Sequence, residues 1–110
     1  MKNSFLKKSI QPAKGISVVS PIAVPGPVYA TTGSLPDEIF LQWDSINSAR
    51  KYVIEISSKL SEKWQQVDII KDPLYCITGL KPSTEYCFRV AAIYPEGVGP
   101  WSKTVSKRSK

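Results

Sequence analysis

The segment Leu80-Lys81-Pro82-Ser83-Thr84-Glu85-Tyr86, running into the alternating stretch Cys87 to Ala92, constrains the fold more than any other part of the chain. A proline-bearing connection that opens a strand on a tyrosine is the pattern of a sandwich corner. There the phenol hydrogen-bonds to backbone a few residues upstream and locks the crossing between two sheets. Alternation then directs Tyr86, Phe88, Val90 and Ala92 inward and Cys87, Arg89, Ala91 and Ile93 outward.

The same period of two recurs upstream. Ile39, Leu41 and Trp43 share one face, with Phe40, Gln42 and Asp44 on the other. Tyr52, Ile54 and Ile56 point inward, Val53 and Glu55 outward; a polar hairpin tip over residues 59–63 leads into a shorter strand, Trp64 to Ile70. Tyr75 and Ile77 form a further strand ending at Gly79-Leu80. Val24 to Thr32 reads as an edge strand, because Pro25 and Pro27 cannot donate to a ladder. Ser34 to Asp37 is a turn cluster, Pro95 to Pro100 a loop, and Trp101 to about Lys107 the last strand. No window carries a useful helical period. Seven short strands separated by turn signals predict an all-β, seven-stranded sandwich. Its expected core is Trp43, Tyr52, Ile54, Tyr75, Leu80, Tyr86, Phe88 and Val90.

With 110 residues, 42% of them hydrophobic and 22% charged, the chain suits one globular domain. The net charge of +6 is not spread evenly. All nine acids fall between Asp37 and Glu96, whereas Lys2, Lys7, Lys8, Lys14, Lys103, Lys107, Arg108 and Lys110 lie outside that stretch. The expected division is a flexible basic arm over 1–20, a folded domain over 21–107 and a basic tail over 108–110. Basic ends can touch phosphates or an anionic membrane, but Phe5 is the only ring in the arm, and one ring makes no stacking platform. The weakly polar stretch Ile16 to Ala30 is cut by Pro21, Pro25 and Pro27 and is too short to span a bilayer. The same prolines argue against a cleaved leader ending at Val28-Tyr29-Ala30, so a cytoplasmic address is the expectation, with a secreted or cell-surface one as the alternative.

Catalytic chemistry finds little to work with. The chain has no histidine, hence no imidazole base for a serine or cysteine nucleophile, and no glycine-rich phosphate loop opens a helix. Cys76 and Cys87 alternate with inward residues on strands expected in opposite sheets, so they should be free thiols facing opposite ways. Two cysteines without histidine do not complete a zinc site. No catalytic residue, metal or cofactor is expected. Candidate binding residues are Arg89 and Ile93 on the outer side of their strand, Tyr94, Glu96 and Val98 around the following loop, and Trp64 and Trp101. Glu55, outward on a neighbouring strand, is placed to pair with Arg89.

Trp43, Tyr52-x-Ile54-x-Ile56, Tyr75-x-Ile77-x-Gly79-Leu80, Pro82 with Tyr86, Phe88-Arg89-Val90 and Gly99-Pro100-Trp101-Ser102 together resemble the fibronectin type III family over about residues 21–107. Leu35-Pro36-Asp37-Glu38-Ile39-x-Leu41-x-Trp43-Asp44 is similar to small bacterial proteins carrying one such module. The resemblance implies an immunoglobulin-like sandwich with sheets A-B-E and C′-C-F-G. It also implies a stack of the strand-F residue Arg89 on Trp101 of the Trp-Ser pair. The Arg-Gly-Asp tripeptide that some members carry in the F–G loop is absent. The expectation is a monomeric, non-catalytic module that binds an unidentified protein partner. The alternatives are a passive spacer of an extracellular or carbohydrate-active protein and a basic-armed binder of nucleic acid or membrane surfaces.

Overall fold

A computed structural model describes residues 23–58 and 63–110. The expected arm and most of the expected hairpin tip lie outside these residues. The described chain is all β: β1 (Tyr29–Thr32), β2 (Ile39–Gln42), β3 (Lys51–Ser58), β4 (Gln65–Ile70), β5 (Leu74–Ile77), β6 (Glu85–Tyr94), β7 (Gly97–Trp101) and β8 (Val105–Arg108). One sheet has the order β1-β2-β5 and the other β4-β3-β6-β7, with β8 also paired to β6; every pairing is antiparallel.

Between the sheets lies the surface that strand alternation selects. Ile39, Leu41 and Trp43 from one sheet meet Tyr52, Ile54, Phe88, Val90 and Ala92 from the other, all buried, with Tyr75, Leu80 and Tyr86 packed half-buried at the margin. Trp43 meets Tyr52 edge-on, their ring centroids 5.4 Å apart. Among the described residues its indole N–H finds no acceptor, so the residue stabilises the fold through buried area. At the open edge the two sheets are tied by Tyr75 on β5, whose hydroxyl donates to Asp68 Oδ2 on β4 at 3.0 Å. That hydrogen bond to a carboxylate, helped by partial burial, raises the Tyr75 pKa above its ordinary value.

Three expectations need correcting. The last strand is divided into β7 and β8, giving eight strands. The reason is Ser102: its N–H donates to the Val90 carbonyl and its hydroxyl accepts from the Val90 N–H at 2.9 Å, so a side chain replaces the next rung of the ladder. Second, the expected loop Pro95 to Pro100 shrinks to a turn at Pro95-Glu96, because β7 already pairs with β6 at Gly97, whose φ of 140° suits glycine.

Third, residues 108–110 are not a free tail. Arg108 belongs to β8, and Ser109 is buried with its hydroxyl donating to the Lys81 carbonyl at 2.6 Å. The Lys110 carbonyl accepts from Ser83, which holds a left-handed φ of 51° at the corner. The corner tyrosine makes the expected bond to upstream backbone, and does so as an acceptor: Lys81 N–H donates to the Tyr86 hydroxyl at 2.9 Å. The phenol thereby satisfies a backbone donor of the Pro82 connection.

Candidate functional site

The outer face of the β4-β3-β6-β7 sheet carries a closed row of side chains. Glu55 on β3 and Arg89 on β6 are register partners. Arg89 Nε and Nη2 both donate to Glu55 Oε1, at 2.9 and 2.6 Å. The guanidinium carbon sits 4.2 Å from the Trp64 ring centroid and 4.3 Å from that of Trp101. One cation is thus held between two indoles and neutralised by one carboxylate. Each ring contributes about 0.5–1 kcal/mol at a partly wet site. The Arg89 and Glu55 side chains keep 25% and 20% of their exposure, so the ion pair adds only about 0–1 kcal/mol.

Neither tryptophan would reach this face on uninterrupted alternation. Counting back from inward Ile70, Trp64 falls inward. The β3–β4 register slips by one residue, from Ile54↔Asp68 to Glu55↔Gln66, and everything before the slip changes sides. The β6–β7 register does the same between Ile93↔Val98 and Ala91↔Trp101, at Gly99-Pro100. A proline is tolerated at such a bulge because no ladder donor is required there. Two bulges, one on each flank, bring both rings over Arg89.

Beside the row, Ala91 is the register partner of both Val53 and Trp101. Val53 and Ala91 are closed off from solvent although their side chains point outward. On the same face Ile69, in the row of Val53 and Ala91, and Val98, the register partner of half-buried Ile93, are 43% and 61% exposed. Glu96 stands exposed in the turn. Tyr94 does not belong with these residues. Its parity is that of Phe88, Val90 and Ala92, so it lies in the core, and its hydroxyl donates to the Ala23 carbonyl at 2.6 Å.

The thiols lie on opposite outer faces, and both are free. Cys76 donates to Glu38 Oε2 at 3.9 Å, and burial together with that carboxylate pushes its pKa up, which makes it a sluggish nucleophile. Cys87 Sγ is 3.5 Å from Ser106 Oγ. Among the described residues no group of three or more His, Cys, Asp or Glu gathers, and no helix is long and apolar enough to cross a membrane.

A second exposed apolar surface escapes the candidate residues chosen from sequence. On the outer face of the β1-β2-β5 sheet, Tyr29, Leu74 and Phe40 are 61%, 58% and 39% exposed. Tyr29, Gln42 and Leu74 form one row across the three strands, and Thr31, Phe40 and Cys76 form the next. The signal was available: Phe40 sits at the outward parity of a strand whose inward residues are Ile39, Leu41 and Trp43.

The family model for the fibronectin type III domain matches residues 24–108. The chain belongs to the fibronectin type III family. It is 36% identical over 96 residues to receptor-type tyrosine-protein phosphatase F of Danio rerio, a match spanning 83% of this chain and 5% of that protein. It is also 44% identical over 52 residues to human Roundabout homolog 2, spanning 46% of this chain and 4% of that protein. Among solved structures, an Fn3-like protein from Clostridium thermocellum superposes with a TM-score of 0.72 at 23% identity, covering 79% of this chain and 92% of that one. The chain thus spans a small fraction of the curated relatives it matches. A cytoplasmic address draws no support from relatives of this kind.

Proposed function

We propose that this fibronectin type III domain is a monomeric, non-catalytic protein-interaction module that docks a protein partner on the outer face of its β4-β3-β6-β7 sheet. The observation that carries the reading is the Trp64–Arg89–Trp101 row: aromatic and arginine side chains, pre-ordered by Glu55 and partly exposed. These are the residue types that anchor interfaces, and rigid ones lose little side-chain entropy on binding. Ile69 and Val98 extend the anchor with exposed apolar surface on either side. Relatives carrying such modules include a receptor-type phosphatase, which fits a recognition role.

The passive-spacer alternative rests on one observation, that the matched stretch is 7% or less of each relative's length. The two readings separate in one experiment. Full-length protein and its Trp101→Ala variant, both verified as folded by circular dichroism, are used to capture partners from host extract. Retention of a defined protein by the parent and its loss with Trp101→Ala supports docking on this face. Identical retained sets would refute the assignment of the face, and no specific retention by either would favour the spacer.

A further inference from the structure

The outer face of the β1-β2-β5 sheet has no cover among the described residues, yet its composition specifies one. Tyr29 and Leu74 in one row, flanking Gln42, and Phe40 in the next expose aromatic and aliphatic surface on all three strands. Acids flank it at both ends. Glu38 reaches the Cys76 thiol at one end, and at the other exposed Asp44 and Asp72 each lie two residues beyond the register pair Gln42↔Leu74. Residues 23–49 contain no lysine or arginine, and Lys71 is the only basic residue of 71–79. The face is therefore apolar, acid-rimmed and almost free of positive charge.

Residues 1–22, outside the described part, have the complementary composition. They carry Lys2, Lys7, Lys8 and Lys14 and no acid, interspersed with Phe5, Leu6, Ile10, Ile16, Val18 and Val19. We propose that residues 1–22 of the same chain dock on the outer face of the β1-β2-β5 sheet, setting apolar side chains on Tyr29, Phe40 and Leu74 and lysines against Glu38, Asp44 and Asp72. The reach is ample. Twenty-two residues extend up to roughly 70 Å, whereas a four-residue strand is about 13 Å long. Covering these side chains removes exposed apolar surface from water, and the lysine contacts weaken as salt screens them. The docking stands independently of the partner-binding face, which lies on the opposite side of the sandwich.

Cys76 is a built-in reporter, because it shares a row with Phe40 on this face while Cys87 lies on the opposite outer face. Alkylation of each thiol by iodoacetamide is followed by mass spectrometry in the full-length chain at one fixed pH. A second chain carries Lys2→Glu, Lys7→Glu, Lys8→Glu and Lys14→Glu. Docking predicts Cys76 alkylation at least about three-fold slower in the parent than in the charge-reversed chain, with Cys87 unchanged, since modification reports the undocked fraction. Equal Cys76 rates overturn the proposal. So does protection that grows with protein concentration, which would place the segment of a second copy on the face. Phe40→Ser, with an unchanged melting temperature, should speed Cys76 alkylation in the otherwise native chain; retained protection would also overturn the proposal.

Discussion

The two outer faces of the sandwich are built from similar residue types and treat them in opposite ways. On the β4-β3-β6-β7 side, two tryptophans enclose Arg89 and Glu55 neutralises it. On the β1-β2-β5 side, Tyr29, Phe40 and Leu74 are exposed and none of the described residues stacks a cation on them. The first face holds its rings rigid around an internal contact while leaving them partly exposed, a pre-ordered surface. The second exposes side chains that no neighbour orders among the described residues. Aromatic content alone therefore does not distinguish the two faces; whether the rings are held in place does.

Substitutions can break this contrast, and the largest effect comes from the layer both faces rest on. Trp43→Ala should cost roughly 3–5 kcal/mol in chemical denaturation, because a buried indole is replaced by a cavity. Against a total on the order of 5–15 kcal/mol, amide protection in both sheets should fall together. A variant that unfolds at the parent's denaturant midpoint would contradict the packing. Arg89→Ala tests one face alone. Losing two ring contacts and an ion pair should cost about 1–3 kcal/mol. Tyr29→Ser or Leu74→Ser, at exposed positions of the other face, should stay within about 0.5 kcal/mol. Equal costs on the two sides would erase the distinction drawn here.

Smaller effects test the ties that hold the faces apart. Tyr86→Phe removes the acceptor of the Lys81 N–H, and since that contact is exposed, water can replace it, leaving a loss of about 0.5–1.5 kcal/mol in the same denaturation. The Tyr75–Asp68 bond gives a pH signature. The Tyr75 pKa is raised on folding above its ordinary value of 10.0, so the protonated phenol is favoured in the native state. The stability it contributes is complete below pH 10.0 and is lost as pH rises through the higher native value. Melting temperature measured across that alkaline range should decline less steeply in Tyr75→Phe than in the parent.

Much of this was legible because a strand's period of two depends only on local geometry. The buried faces of β2, β3 and β6 follow directly from Ile39-x-Leu41-x-Trp43, Tyr52-x-Ile54 and Phe88-x-Val90-x-Ala92. The same rule places Tyr94 inside and Phe40 outside. The pairing of Glu55 with Arg89 was also within reach, since both are outward on strands that neighbour each other. Trp64 over Arg89 was not, because a bulge shifts register through backbone pairing with a partner strand, and no residue type between Trp64 and Ile70 announces it. The docking of Ser109 against the Lys81–Thr84 corner was equally hidden, for it joins segments 25 or more residues apart through a hydroxyl and carbonyls.

By itself, then, the sequence determined most of the strands, which sides of β2, β3 and β6 are buried, the corner at Pro82–Tyr86 and the family. All of these rest on periodicity and on residues whose preferences act over a few positions. Only the tertiary structure decided that Trp64 joins Trp101 on one guanidinium and that Tyr29, Phe40 and Leu74 are exposed on one face. Those outcomes depend on register between strands distant in sequence, where a slip of a single residue exchanges inside for outside.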